Sequence, residues 1–319
     1  MTDYYDPIEY IVTEREEGWP VKNVLQRRLG VSRKLMSRIK LTERGVHLNG
    51  ERVFISVPVR AGDTVSISLE KETSTDILPQ PLPFDIVYED EALLIVNKAA
   101  GVIVHPTHGH YTGTLANGVV HYWQEKGEQF RFRPVHRLDQ ETSGLIAIAK
   151  NAYVHQHISE QLIAGQVTKK YTALVHGCPE PAEGRIDGPI DRDPAEPHRR
   201  IVTDTGYPSH TFYKVVDCMK AGSRVELQLG TGRTHQIRVH MTSIGHPLIG
   251  DKMYRMPGLE TMEEDKRTAV MAWDEAISRQ ALHASELGFT HPLSGERLTF
   301  TAPMPEDMQT LHDKLKKCQ

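Results

Sequence analysis

Residues 144–149 read Gly-Leu-Ile-Ala-Ile-Ala, an apolar run that fits a strand lying inside a core. Polar groups crowd the mouth of that strand: PVHRLDQETS at 134–143 brings His136, Arg137, Asp139, Thr142 and Ser143 together just before it. A carboxylate in such a place is partly withdrawn from water, so it must be paired with a cation or its pKa rises. The partner suggested by the sequence lies in LGTGRTHQIRVHM at 229–241, where Gly230 and Gly232 permit a tight turn that would present Arg233 beside its strand. A bidentate Arg233–Asp139 pair would hold the acid ionised and aimed. The same two residues also fit a purely structural ion pair.

Further strands are expected at 93–96, 102–104, 171–175, 225–229 and 298–301, with helices at 151–164 and 305–316. No G-x-G-x-x-G or G-x-x-x-x-G-K pattern occurs, which argues against a nucleotide cofactor. The pattern from residue 84 onward is that of a mixed α+β domain. Residues 255–270, charged and carrying Pro257 and Gly258, read as a surface loop or insertion.

The N-terminal part is different. The chain of 319 residues carries a formal charge of −4, yet residues 18–72 hold eleven basic and five acidic side chains, a net of +6 that leaves −10 for the remainder. A steering field depends on local charge, so this segment is the candidate for contact with a polyanion. Val21, Val24, Leu25 and Leu29 fall at helical spacing before Gly30. Ser32 can cap a second helix whose apolar stripe, Leu35, Met36 and Ile39, leaves Arg33, Lys34, Arg38 and Lys40 on a basic face. Strands are expected at 46–48 and 53–55 around an Asn49-Gly50 turn, and at 64–69 after Gly62-Asp63. The organisation that follows is an extension at 1–17, a small α/β module at 18–72, a proline-containing linker at 73–83 and a large domain at 84–319.

HRLDQETSGLIAIAK at 136–150 and GTGRTHQIRVHM at 230–241 resemble the signature motifs of the RluA family of RNA pseudouridine synthases. The similarity continues through NKAAGVIVHPT at 97–107, GTL at 113–115, KKYTALVHG at 169–177, HPLIGD at 246–251, RQALHA at 279–284 and HPLSGE at 291–296. It covers nearly all of 84–305. SRKLMSRIKLTERGVHLNG in the basic segment is similar to the alpha-L RNA-binding domain found in ribosomal proteins. The resemblance implies a pseudouridine-synthase fold, a mixed and mainly antiparallel sheet with flanking helices. It also implies isomerisation of uridine in RNA, with Asp139 as the catalytic carboxylate and Tyr171 stacking on the uracil. Arg137 would fill the space left by a flipped nucleotide, or else be held in a salt bridge, and His136 would hydrogen-bond to orient the loop. Leu229 and Leu282 would form the apolar wall under the base, although core packing explains them equally well.

That chemistry calls for no metal and no organic cofactor, and the histidines of VHPTHGH at 104–110 do not change this. The expected partner is RNA, ribosomal or transfer, bound by a monomer. No apolar run approaches the roughly 18 residues that cross a bilayer. The first ten residues also lack a basic flank followed by an apolar stretch. Cys178, Cys218 and Cys318 are too dispersed to suggest a disulfide framework. A cytoplasmic location is therefore expected. The competing reading is a non-catalytic RNA-binding or ribosome-assembly factor on the same scaffold. A carboxylate-based glycosidase would need a second acidic motif, and none is evident.

Overall fold

The computed structural model describes residues 3–318. Its strands and helices, in chain order, begin with β1 (Ile8–Ile11), α1 (Val21–Arg27), α2 (Arg33–Ile39), β2 (Val46–Leu48), β3 (Glu51–Arg52) and β4 (Thr64–Ile67). Next come β5 (Asp85–Glu89), β6 (Leu93–Lys98), α3 (Leu115–Glu125), β7 (Arg133–Pro134), β8 (Ser143–Ala149), α4 (Ala152–Ile163) and β9 (Thr168–His176). The chain continues with β10 (Glu183–Asp187), β11 (Ile190–Arg192), β12 (Arg200–Val202), β13 (His210–Cys218), β14 (Gly222–Leu229) and α5 (Gln236–Ser243). It ends with α6 (Glu264–Glu275), β15 (Leu282–Thr290), β16 (Arg297–Thr301) and α7 (Glu306–Lys317).

The apolar run is β8, buried along its whole length. Its side chains alternate between two cores, as a strand covered on both faces must. Leu145, Ala147 and Ala149 pack with Tyr153, Val154 and Ile158 of α4, whereas Ile146 and Ile148 pack with Leu115, Val119 and Trp123 of α3. Around β8 the main sheet runs β10-β13-β14-β9-β15-β8-β6-β5, with β16 beside β15 and β7 beside β8. Its pairings are antiparallel except that of β15 with β8. This is the expected α+β architecture. Gly144 opens β8 at φ +117°, and a Cβ there would lie 2.3 Å from the Ala284 carbonyl oxygen. Only glycine lets β8 start this close to β15.

In the N-terminal module, Ser32 accepts from Leu35 N at 3.1 Å and caps α2. Asn49 and Gly50 take φ 53° and 82°, the two positive values that a tight hairpin turn requires. Strand β3 begins right after that turn, so residues 53–55 lie outside it. The segment expected as an extension is part of the module: β1 pairs with β4, Ile8 opposite Ile67, completing the sheet β1-β4-β2-β3. Residues 1 and 2 of that segment lie outside the described residues.

The module is docked, not tethered. Its Val24, Leu25, Val31 and Leu35 share one apolar cluster with Tyr153, Val154 and Ile158 of α4. Tyr153 donates to Leu29 O at 2.9 Å, and Gln156 donates to Gly30 O at 2.7 Å while accepting from Ser32 N at 3.1 Å. Residues 73–83 have no regular structure but do not behave as a free linker. Ile77 is buried against α3, and the Ser74 hydroxyl accepts from Phe132 N at 2.7 Å. Three more expectations change. Residues 102–104 are not a strand, and 255–270 hold a short 3-10 turn and the start of α6. Cys178 and Cys218 form a disulfide, because the order β13-β14-β9 brings two distant segments to the same end of the sheet.

The shared core makes a prediction. Deleting residues 1–72 should expose the outer face of α4 and lower the thermal midpoint of the remaining chain by on the order of 10 °C. Calorimetry of the truncated protein tests this, and an unchanged midpoint would show that the two parts fold independently.

Candidate active site

Asp139 sits in the loop between β7 and β8, held from several sides. Thr142 N donates to Asp139 O at 3.1 Å, and Gly101 N to Gln140 O at 2.9 Å. Arg279 Nη1 donates to Glu141 O at 3.1 Å. Lys98, 1% exposed, donates from Nζ to Ala99 O, Val102 O and Gln140 O at 2.9, 2.8 and 3.0 Å. Burial pulls its pKa down to about 7, although Glu141 and Asp139 act in the opposite sense. Three carbonyl acceptors suit the three donors of an ammonium. The loop therefore reaches the site with its backbone already fixed.

The partner of Asp139 is Arg238 and not Arg233. Arg238 Nη1 lies 3.4 Å from Asp139 Oδ2. Its Nε and Nη2 donate to Asp251 Oδ2 and Oδ1 at 2.6 and 2.8 Å, a bidentate pair in which the Asp251 side chain is fully buried. Asp251 Oδ1 also accepts from Met253 N and Tyr254 N, each at 3.0 Å. Burial alone would lower the pKa of Arg238, but the carboxylates of Asp251 and Asp139 outweigh it and hold the guanidinium above its usual value. Arg233 is exposed, with its guanidinium 5.3 Å from the Tyr207 ring centroid and its Nε 3.5 Å from Pro208 O. The tight turn that was expected to present it ends before α5. It is the helix that carries a basic side chain inward.

His235, the N-cap of α5, was not expected to take part. It adopts φ 57°, a left-handed conformation uncommon outside glycine, though histidine is among the residues that take it most readily. Its Nδ1 lies 2.9 Å from the Tyr254 hydroxyl and its Nε2 3.8 Å from Asp139 Oδ2. Tyr254, 2% exposed, already accepts from Arg200 N at 2.8 Å. Its own hydrogen is then satisfied by donation to Nδ1, which leaves the imidazole N–H on Nε2, facing Asp139. Burial pulls the His235 pKa below 6.5 against the upward pull of Asp139, favouring this neutral tautomer. Both contacts to Asp139 are long, as catalytic hydrogen bonds often are before substrate closes on them.

Tyr171, on β9, is 6% exposed and packs with Leu138, Leu227, Leu229 and Leu282. Burial, with a smaller contribution from the charge of Asp139, pushes its hydroxyl well above 10. Leu229 and Leu282 thus belong to the same apolar cluster as Tyr171. Arg137 is exposed and forms no ion pair among the described residues, so the salt-bridge alternative falls away. His136 does not orient the loop by hydrogen bonding: both ring nitrogens are buried without a partner, and burial beside Lys169 pulls its pKa down to about 3. Of the basic face, Arg33, Lys34 and Lys40 are exposed, while Arg38 is paired with Glu72. Glu72 also takes Arg133 at 2.8 Å, which locks the module to the main domain.

A carboxylate opposed by a guanidinium, open to solvent over 29% of its side chain and set beside an apolar floor with a buried phenol, is suited to covalent or proton-transfer chemistry on a flat base and its sugar. Comparisons with known proteins agree. A family model described as RNA pseudouridylate synthase matches residues 92–243. An uncharacterized RNA pseudouridine synthase of Bacillus subtilis, YlyB, is 42% identical over 275 residues, covering 85% of this chain and 86% of that one. Ribosomal large subunit pseudouridine synthase D of Escherichia coli is 38% identical over 258 residues, covering 81% and 78%. The solved structure of human RNA pseudouridylate synthase domain containing 1 superposes with a TM-score of 0.55 at 27% identity, over 70% of this chain and 84% of that one. The chain belongs to the RNA pseudouridylate synthase family, whose members isomerise uridine within RNA.

Two predictions follow from the site. Lysine at position 238 offers one point charge where the guanidinium serves two carboxylates. Arg238→Lys should therefore lower kcat by at least about 100-fold in a pseudouridine assay while leaving RNA affinity within a few-fold, since an interaction made at the reacting centre is lost. The second concerns pH. The unfolded chain protonates His136 as pH falls through 6.5, whereas the folded protein resists until about 3. Stability from this residue is complete above pH 6.5 and is lost progressively below it, by about 1.4 kcal/mol per pH unit for one proton. His240 and His283, also lowered by burial, act in the same direction. Urea titrations from pH 7 to 5 should show falling stability, and His136→Phe should reduce that slope by one proton's worth.

Proposed function

We propose that this enzyme converts uridine to pseudouridine in large-subunit ribosomal RNA, with Asp139 as the catalytic carboxylate and the basic N-terminal module as an electrostatic anchor. The pairing of Arg238 with both buried Asp251 and accessible Asp139 carries the assignment of the acid. It explains why one carboxylate is held at the cleft with an oxygen free to meet substrate. The ribosomal target follows from the relatives described as ribosomal large subunit pseudouridine synthases. A site on so large a substrate fits a monomeric enzyme of the cytoplasm, and no helix among the described residues is long and apolar enough to cross a membrane.

In the reaction the bond from uracil N1 to ribose C1′ breaks, the uracil turns, C5 bonds to C1′, and the C5 proton is lost while N1 regains one. Asp139 serves by attacking C1′, displacing uracil N1, or by removing the neighbouring ribose proton; both routes need its ionised carboxylate. The flipped uracil rests on Tyr171, with Leu229 and Leu282 beside it, and Arg137 stacks into the vacated position in the RNA. The raised pKa of Tyr171 favours its stacking role over that of a free phenolate base.

Asp139→Asn should abolish pseudouridine formation, measured by mass spectrometry on unmodified ribosomal RNA, while RNA binding stays within about threefold. Product formed by that variant, or product on transfer RNA alone, would overturn the acid's role or the target respectively. Reversing the charges of Arg33, Lys34 and Lys40, which are exposed, should weaken binding and flatten its salt dependence by roughly 0.7 to 0.9 per lost phosphate contact.

A further inference from the structure

The turn joining β11 to β12 and the segment 253–260 line an open pocket of about 370 Å³ that shares no lining residue with the active site. Arg199, Arg255, Thr242 and Glu260 supply its polar side chains. This volume suits a single small polar group or nucleotide fragment.

The two arginines lack strong partners. Arg199 has one acidic neighbour, Glu196, whose exposed carboxylate is 3.8 Å away and contributes little at that distance and exposure. Its Nε is buried with no hydrogen-bond acceptor. Almost no accessible surface is left at that atom, so a ligand would meet the outer part of the side chain, which is 35% exposed overall. Arg255 is exposed and forms no ion pair among the described residues. The turn beneath is stiff: Arg199 N donates to Glu196 O at 2.8 Å, and Arg200 Nη1 donates to Pro197 O and Arg199 O at 3.1 and 3.0 Å. Ile190, Val239 and Tyr254 pack together, fastening the β11–β12 ribbon to α5.

Tyr254 ties this cavity to the catalytic centre. Arg199 lies 5.7 Å from the Tyr254 ring centroid, and Arg238, which holds Asp139, lies 4.8 Å from the same centroid. The two guanidinium groups are therefore within about 10.5 Å of each other, close enough to meet neighbouring parts of one RNA strand.

We infer that the cavity is a phosphodiester subsite, in which Arg199 and Arg255 hold a backbone phosphate of the RNA strand close to the flipped uridine. The inference rests on the RNA pseudouridine synthase reading and adds to it a specific hold on the flanking strand. Arginine forks match phosphate oxygens in pairs, and Arg199 stands on a turn whose backbone is already held, while Arg255 is ordered on binding. Glu260, in the same lining, opposes the phosphate and sets the strength of the hold.

The test uses the full-length protein and unmodified large-subunit ribosomal RNA, with binding read by filter retention across a salt series and turnover read by pseudouridine content. Arg199→Ala and Arg255→Ala should each raise KM and the dissociation constant about five- to tenfold and lower the salt slope by roughly 0.7, with the loss falling on KM rather than kcat. Glu260→Gln should tighten binding. Arg255→Ala removes an exposed side chain, so its result stands even if Arg199→Ala perturbs the turn. Wild-type affinity and slope in both arginine variants would overturn the subsite. So would tight binding of inorganic phosphate alone that the same substitutions abolish, which would make it a free-phosphate site. If the wild-type protein bound RNA with the expected arginine dependence yet made no pseudouridine, the activity reading would fail and the subsite would stand.

Discussion

The bidentate pair between Arg238 and Asp251 is the interaction on which the site depends. Two buried charges are tolerable only when each satisfies the other, and here the carboxylate is fully buried and the guanidinium nearly so. Once paired, the guanidinium has one edge left over. That edge faces Asp139, so the accessible acid meets a cation whose position is already determined by a stronger contact deeper in the protein. The arrangement separates two tasks that a single ion pair would confuse. Asp251 holds the arginine, and Asp139 stays accessible to a sugar.

Rigidity comes from the backbone more than from the side chains that do the chemistry. Lys98 gathers three carbonyls around the loop, Arg279 adds a fourth, and Gly144 allows β8 to begin against β15 at a separation no other residue permits. His235 holds a left-handed backbone while its ring joins Tyr254 to Asp139. Such preorganisation places donors where charge develops and avoids rearrangement at the moment of reaction. The apolar floor has a second effect. It keeps Tyr171 a neutral phenol, as the proposed stacking role requires.

The charges that the proposed function assigns to RNA lie in separate places. The basic face of α2 leaves Arg33, Lys34 and Lys40 exposed, a cationic surface whose field falls with salt. Near the catalytic centre the charges are fewer and better ordered. Because the N-terminal module shares an apolar cluster with α4, its basic face is presented at a set position relative to the cleft, unlike a tethered hook.

The sequence alone determined what is local or periodic: the apolar run of β8, the Ser32 cap, the Asn49-Gly50 turn, the charge asymmetry, and Asp139 at the mouth of a buried strand. Family resemblance then supplied the chemistry. Only the tertiary structure decided which arginine meets that acid. Arg233 and Arg238 lie five residues apart in one motif, and nothing in local pattern says that the turn faces solvent while α5 faces inward. A usable signal was present, since an arginine between Ile237 and Val239 on a buried helix needs a carboxylate, and HPLIGD supplies Asp251. The pairing of β1 with β4, the packing of 73–83 and the Cys178–Cys218 bridge were hidden for the same reason. Each depends on contacts between residues far apart in the chain, and their partners are set by sheet order, which no local sequence window contains.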